Sequence, residues 1–367
     1  MNARVMARQQ AQMAFVASGE NLVVGSEVDC PLPPDELAAL TPDSSLVVEQ
    51  FGGGLTARVL HLQIDGKHYT LKQKRHEALV RNVDGETSFL NEVQRRADFT
   101  RLKSDPVWEG RFAHIVPTLY ADFRRGIILS PWLEGKPLDR FDGEIFEQIL
   151  ATAIACEEAG LMEWDLCPGN IIDDNGFIWL FDFGYMYPFD PCCEFNSNGL
   201  SDPLFHACER FETRHFFGWL LRNPQGLSLT QQMGLYRCLK QIALKLYQEK
   251  RRHLAGRGAK AEVLAWLDKQ IAVWQQALVS EEALARLFAI ENFRSQVLDI
   301  EDDLHGKSCT AMTLQRIDFV TAQIADNYVM LLENGALFYA NEGKSQAELM
   351  HSYREKEQLA RSYQLAP

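Results

Sequence analysis

The sequence predicts an α+β fold: a small antiparallel five-stranded sheet with one helix, followed by a larger, mainly helical part. Three observations carry that prediction. Residues 46–134 are rich in β-branched and alternating apolar residues, broken by glycine-containing turns. After Gly135 the apolar spacing changes from alternation to a helical period. A strand-loop-strand stretch, EWDLCPGNIIDDNGFIWLFDFGY, interrupts the helical part near its start.

In chain order, residues 1–44 read as an N-terminal extension that closes in the linker PLPPDELAALTPDSS. The first lobe covers 45–134. SLVVEQF is a strand, GGGLTA a turn and RVLHLQI a second strand; Asp65-Gly66 signals a tight hairpin into KHYTLKQ. GETSFLNEVQRRADFTRL places Phe89, Val93 and Arg96 at helical spacing. AHIVPTLYADFRRGIILSPWLEG gives two more strands, turning at Arg124-Arg125-Gly126, and the lobes should meet near Trp132–Gly135. The second lobe, 135–367, opens with EIFEQILATAIACEEAG, where Ile145, Ile149 and Cys156 share a helical stripe. A short hairpin turns at Asn175-Gly176. Beyond about residue 205 nearly every segment reads as helix, with one exception: YVMLLENGALFYAN, with Asn334-Gly335 between apolar runs, is expected to be a hairpin.

Composition bounds what such a chain does. Its 367 residues are 46% hydrophobic and 24% charged, enough for a large core and too apolar for wholesale disorder. Lys+Arg number 37 against 50 Asp+Glu, a net charge of −13, which argues against general binding to nucleic acid or anionic membranes. No apolar run approaches the ~20 residues of a membrane span. Eight cysteines without a C-x-x-C pair predict reduced thiols and a cytoplasmic protein, and export by a leaderless route would leave no mark. The oligomeric state is left open.

The chemistry-bearing segment is the strand-loop-strand. Asp165 and Asn170 stand five positions apart, and Asp182 follows seventeen after Asp165, in Asp182-Phe183-Gly184. Phosphoryl transfer from ATP needs a carboxylate to orient the acceptor hydroxyl and oxygen ligands for Mg²⁺. Asp165 suits the first task; Asn170 and Asp182 suit the second.

With D-x-x-x-x-N followed by D-F-G, the sequence resembles the protein-kinase-like superfamily over roughly residues 46–190. The resemblance implies a bilobal fold that binds ATP and Mg²⁺, and it extends to the first lobe. Gly52, Gly53, Gly54, Ala57 and Val59 match the glycine-rich phosphate loop, with Ala57 in place of the third glycine. In the third strand Lys72 matches the phosphate-holding lysine and Thr70 shares its face; Lys74 is the runner-up. Glu92 matches the helical glutamate that pairs with the lysine, and Glu86 is the alternative. Leu129 would restrict the back of the adenine pocket, and Ser130 to Leu133, with Trp132 between them, would form the hinge. Val59 would roof the base and Ile172 floor it.

The departures point to an atypical member. Glu163-Trp164-Asp165 replaces H-R-D, Cys167 replaces a lysine, and no A-P-E follows Gly184. Aminoglycoside/choline phosphotransferases and RIO-like kinases share such habits. The implied activity is transfer of the γ-phosphate to a hydroxyl acceptor, with a protein Ser/Thr favoured over a small molecule. The rivals are a nucleotide-binding pseudokinase scaffold and transfer of AMP. Glu163, two residues before Asp165, is expected to point away from the acceptor and to tolerate replacement.

Overall fold

A computed structural model describes residues 3–365 except Gly53, Leu55, Arg81, Pro224 and Gln225. The chain divides into two compact units. Unit 1 comprises Met1–Arg140, Glu144–Ala207 and Leu254–Val263; unit 2 comprises Phe141–Gly143, Cys208–His253 and Leu264–Pro367.

Unit 1 begins with helix α1 (Ala3–Ser18), strand β1 (Val23–Gly25) and the short helix α2 (Pro34–Ala39). Next come β2 (Val47–Phe51), β3 (Ala57–Ile64), β4 (Lys67–Lys74), the long helix α3 (Val83–Ser104), β5 (Tyr120–Asp122) and β6 (Ile127–Pro131). Asp65 and Gly66, with φ of 49° and 75°, close the β3–β4 hairpin as the sequence signals.

The antiparallel sheet runs β1-β5-β6-β4-β3-β2, six strands rather than the expected five. The sixth comes from the region read as extension: Val23–Gly25 pairs with Tyr120–Asp122. Three residues are too few for alternation to register in a sequence. Gly25 is required there, since a Cβ would sit 2.1 Å from the Leu119 carbonyl oxygen. The apparent linker is also structured. Pro34 starts α2, where a proline costs no hydrogen bond, and Leu37 is wholly buried.

Both sheet faces are covered, so the strands carry apolar residues on both sides. Leu60, Leu62, Leu71, Ile127 and Leu129 pack with Leu37 on one face. On the other, Ala57, Ala121 and Ile128 pack with Phe89, Leu90 and Val93 of α3.

The unit continues through β7 (Lys136–Pro137), α4 (Gly143–Glu158) and β8 (Leu161–Glu163) to β9 (Ile171–Asp174), β10 (Phe177–Leu180) and β11 (Met186–Pro188). Strands β9 and β10 turn at Asn175-Gly176, with β7 on the far side of β9, while β8 pairs with β11. The loops that follow β8 and β10, strands of these two small sheets, carry Asp165 and Asp182.

Unit 2 is helical, built from α5 (Ala207–Phe211), a π-helical turn Glu212–Phe216, α6 (Phe217–Arg222), α7 (Leu229–Gly256), α8 (Ala261–Ala277), α9 (Glu281–Gly306), α10 (Ala311–Glu333) and α11 (Gln346–Ser362), of which Ala207, the end of α7 and the start of α8 belong to unit 1. Phe293, Val297, Ile317, Val320, Ile324, Leu331, Leu349 and Tyr353 build a core from its last three helices. The hairpin expected at Asn334-Gly335 is absent. Ile317, Val320, Ile324 and Leu331 keep helical spacing up to that point, and Asn334-Gly335 ends α10 instead. Among the described residues no helix is long and apolar enough to cross a membrane.

Candidate functional site

The site lies within unit 1, between the α3-facing side of the sheet and the β8–β11 loops. Lys72 is on β4, and only 6% of it is exposed. Its ammonium stands 2.5 Å from Glu92 Oε2 and 3.0 Å from Asp182 Oδ2. Burial opposes its charge, but Asp182 and Glu92 outweigh that and raise its pKa. Glu92 is doubly held, because its other oxygen accepts from Arg96 Nη2 at 2.8 Å, one helical turn on. Burial works against the Glu92 carboxylate as well; Lys72 and Arg96 overcome it and hold the group below its usual range. Lys74, the alternative lysine, lies 4.9 Å over the Phe123 ring, and Glu86 is exposed in the first turn of α3.

Asp182 keeps 37% of its side chain exposed, and its backbone sits in the left-handed region at φ 64°. For a non-glycine residue that conformation costs about 1–3 kcal/mol and persists only where neighbours impose it. Lost hydration raises its pKa, Lys72 lowers it, and the Glu92 and Asp165 charges push it up again. Phe183 is buried against Phe99, with ring centroids 4.9 Å apart, and lies beneath Arg96.

Asp165 and Asn170 are brought together. Asn170 Nδ2 donates to the Asp165 carbonyl at 2.9 Å and to its Oδ2 at 3.3 Å. That orientation leaves the Asn170 amide oxygen for a cation. Asn170 and Asp182 both offer hard oxygen donors, and a nucleotide-bound Mg²⁺ needs only one or two from the protein. Among the described residues no group of three His, Cys, Asp or Glu side chains forms a self-sufficient metal cage.

Glu163 is buried in β8, and its Oε1 accepts from the Asp165 backbone N–H at 2.6 Å. Burial lifts its pKa well above the usual range, and the charges of Asp165 and Asp182 add to that despite the hydrogen bond. Glu163 lines a narrow cavity with Cys156, Leu180 and Phe183.

Strand register corrects the pocket wall. Thr70 pairs with Ser130, Lys72 with Ile128 and Leu71 with Leu129. Side chains alternate, so Leu129 points to the α2-facing core and not to the back of the site. Ser130 takes that place, and its Oγ accepts from Arg96 Nη1 at 3.2 Å. Trp132 extends the pairing, its N–H reaching the His68 carbonyl at 3.2 Å. Its indole stacks on His61 at 3.6 Å, with Phe51 beyond it at 5.9 Å. Leu133 and Ile172 are half-buried; Ile172 pairs with Trp179 and with Pro137.

Val59 pairs with Lys72 and lies on the same face of the sheet. Ala57 is instead committed to the core with α3, and 2% of it is exposed. Gly52 and Gly54 form the turn between β2 and β3, whereas Gly53 lies outside the described residues. Gly54 must be glycine, for a Cβ would meet the Ala57 carbonyl oxygen at 2.1 Å. Arg75 Nε donates to the Gly54 carbonyl at 2.8 Å and ties that turn to the end of β4.

Sequence reasoning found Glu92 and Arg96 but not the rest of the polar stripe of α3 to which they belong. Thr87, Ser88, Asn91, Glu92, Arg95 and Arg96 are all buried, at helical spacing, on the side that meets the site. A polar stripe at such spacing in a helix that must bury a face was the available signal. His61 was missed too, although it alternates with Val59 on one strand.

No known protein family matches the chain, and no curated protein matches it in sequence.

Proposed function

We propose that the chain is an ATP- and Mg²⁺-dependent phosphotransferase of protein-kinase-like fold. It moves the γ-phosphate to a hydroxyl acceptor, with a protein Ser/Thr favoured over a small-molecule alcohol. One observation carries the reading: the Lys72 ammonium is shared between Glu92 and Asp182, beside a loop in which Asn170 braces Asp165. Lys72 holds the nucleotide phosphates, and Glu92 keeps it extended toward them. Asp182 and Asn170 are the oxygen ligands for Mg²⁺. Asp165 orients the acceptor hydroxyl and takes its proton as the new P–O bond forms and the bond to ADP breaks. Trp132, Leu133, Val59 and Ile172 surround the base, with Ser130 behind it. Eight free cysteines support a reducing, cytoplasmic setting.

The test sets ATP affinity beside transfer. Asp165→Asn is nearly isosteric, so Mg²⁺-ATP should raise its melting temperature as in wild type. Phosphate transfer to lysate acceptors, read by mass spectrometry, should fall by ~10²-fold or more, the scale of a positioned general base. Mass addition of a nucleotide would replace phosphate transfer with AMP transfer. ATP binding with no transfer by the wild type would put a nucleotide-binding scaffold in its place.

A further inference from the structure

Helix α1 contains one fully buried residue, and it is polar: Gln12. A buried amide is costly unless its hydrogen bonds are made. Gln12 makes both, and they lead toward the site. Its oxygen accepts from the Thr87 hydroxyl at 3.1 Å, and its Nε2 donates to Asn91 Oδ1 at 3.2 Å. That second bond fixes which way the Asn91 amide faces. Asn91 Nδ2 is then aimed at the carbonyl oxygens of Phe183, Gly184 and Met186, at 3.2, 3.0 and 2.7 Å. Arg95, one turn further along α3, adds a bond to the Met186 carbonyl at 3.3 Å. Asn91 immediately precedes Glu92, so one turn of helix grips both Lys72 and the turn that carries Asp182.

The same helix reaches the segment after that turn. The Arg8 guanidinium bonds both Asp84 carboxylate oxygens, at 3.0 and 3.1 Å, and lies 3.3 Å over the Tyr187 ring. Arg4 pairs with Glu194 at 2.8 Å. Asp182 meanwhile holds a strained φ, which needs surroundings that over-determine it.

We infer that α1 is a positioning element of the site: through Gln12 and Asn91 it holds the Asp182-Phe183-Gly184 turn where Asp182 meets Lys72. The inference deepens the phosphotransferase reading, but its first readout does not depend on catalysis.

The experiment is hydrogen exchange on the nucleotide-free, full-length chain, comparing wild type with Gln12→Ala, Asn91→Ala and Gln10→Ala. Gln10 is exposed on the outer side of α1 and serves as the control. Exchange of residues 182–188 should rise about five- to tenfold in Gln12→Ala, the scale of one lost hydrogen bond, with amides of β3 and β4 unchanged. Asn91→Ala should do more, and Gln10→Ala nothing. In transfer assays Gln12→Ala should lower kcat and leave KM for ATP within about twofold, the mark of a misplaced reacting group rather than lost binding. Unchanged exchange at 182–188 in Gln12→Ala overturns the inference, as does a rise spread evenly over unit 1, which would make α1 mere packing. A turn-specific rise in a protein that transfers nothing upholds the positioning role and sinks the phosphotransferase reading instead.

Discussion

Each of the two units holds a buried lysine between two acids, and the two clusters are built for different ends. In unit 2 the Lys240 ammonium stands 2.5 Å from Glu212 and 2.6 Å from Glu291. Tyr236 donates to Glu291, Cys208 to Glu212, and the Trp274 ring closes over the ammonium at 5.0 Å. Lys240 is wholly buried, which leaves a ligand no approach. In unit 1, Lys72 has one enclosed partner, Glu92, and one partner open to solvent, Asp182, set on strained backbone beside Asp165. Composition does not distinguish the two. Access, strain and the neighbouring carboxylate do.

The sharpest way to break this comparison is to remove each lysine in turn. Lys240→Met leaves two acids facing each other in a dry core, and removing one partner of a buried pair costs about 3–5 kcal/mol. Denaturant unfolding should record that loss. In Lys72→Met, Glu92 still has Arg96 and Asp182 still has solvent, so the stability loss should be much the smaller. Transfer should nonetheless fall by at least ~10²-fold, as when one preorganised charge-stabilising donor is deleted. Equal destabilisation by the two variants would make Lys72 a structural lysine like Lys240.

A smaller effect is expected at Glu163. Glu163→Gln keeps an acceptor for the Asp165 N–H and suits the neutral state that burial favours, so kcat should stay within about threefold of wild type. Glu163→Ala orphans that N–H, costs about 1–3 kcal/mol and lets the Asp165 loop shift, which on the proposed reading should show as a fall in kcat with little change in KM for ATP. If Ala and Gln behave alike in both respects, Glu163 does not position Asp165.

What the sequence revealed of this arrangement follows from how each feature is encoded. Local chemistry was legible: Asp65-Gly66 and Asn175-Gly176 form the turns they signal, and Lys72 and Glu92, found by resemblance, do meet. Features set by tertiary context were not. The three-residue strand at Val23 exists only because β5 is there to receive it. The site-facing place falls to Ser130 and not to its neighbour Leu129, and only the cross-strand register with Thr70 reveals which faces the site. Asn334-Gly335 has the composition of a hairpin, yet it ends a helix because Leu331 is needed in the core. The Gln12–Asn91 contact joins residues 79 positions apart, and nothing local in either segment announces the other.

The two clusters respond to pH with opposite signs. Burial, with the charge of Glu291, raises the pKa of Glu212 to about 8 despite Lys240 beside it. The charge of Glu209 also raises it, and the neighbouring Cys208 and Tyr236 carry no positive charge. The folded chain therefore binds a proton that the unfolded chain releases near pH 4.5, the unperturbed value. Stability rises with pH only where the unfolded state holds more protons, and here it holds fewer. The contribution is complete below about pH 4.5 and is lost as pH climbs through about 8. Glu92 behaves in the opposite sense: its pKa is held down, so its contribution is present at neutral pH and is lost on acidification. Glu212→Gln should thus flatten the decline in melting temperature toward alkaline pH and leave the acid limb alone. Glu92→Gln should flatten the acid limb and leave the alkaline one. Titrating groups outside the two clusters act alike in all three proteins, while Lys240, Cys208 and Tyr236 shift with Glu212, and Lys72 and Asp182 with Glu92, so each difference reports its cluster as a whole. If Glu212→Gln tracks the wild type up to and beyond pH 8, Glu212 is charged in the fold, and Lys240 is a lysine between two carboxylates in fact as well as in arrangement.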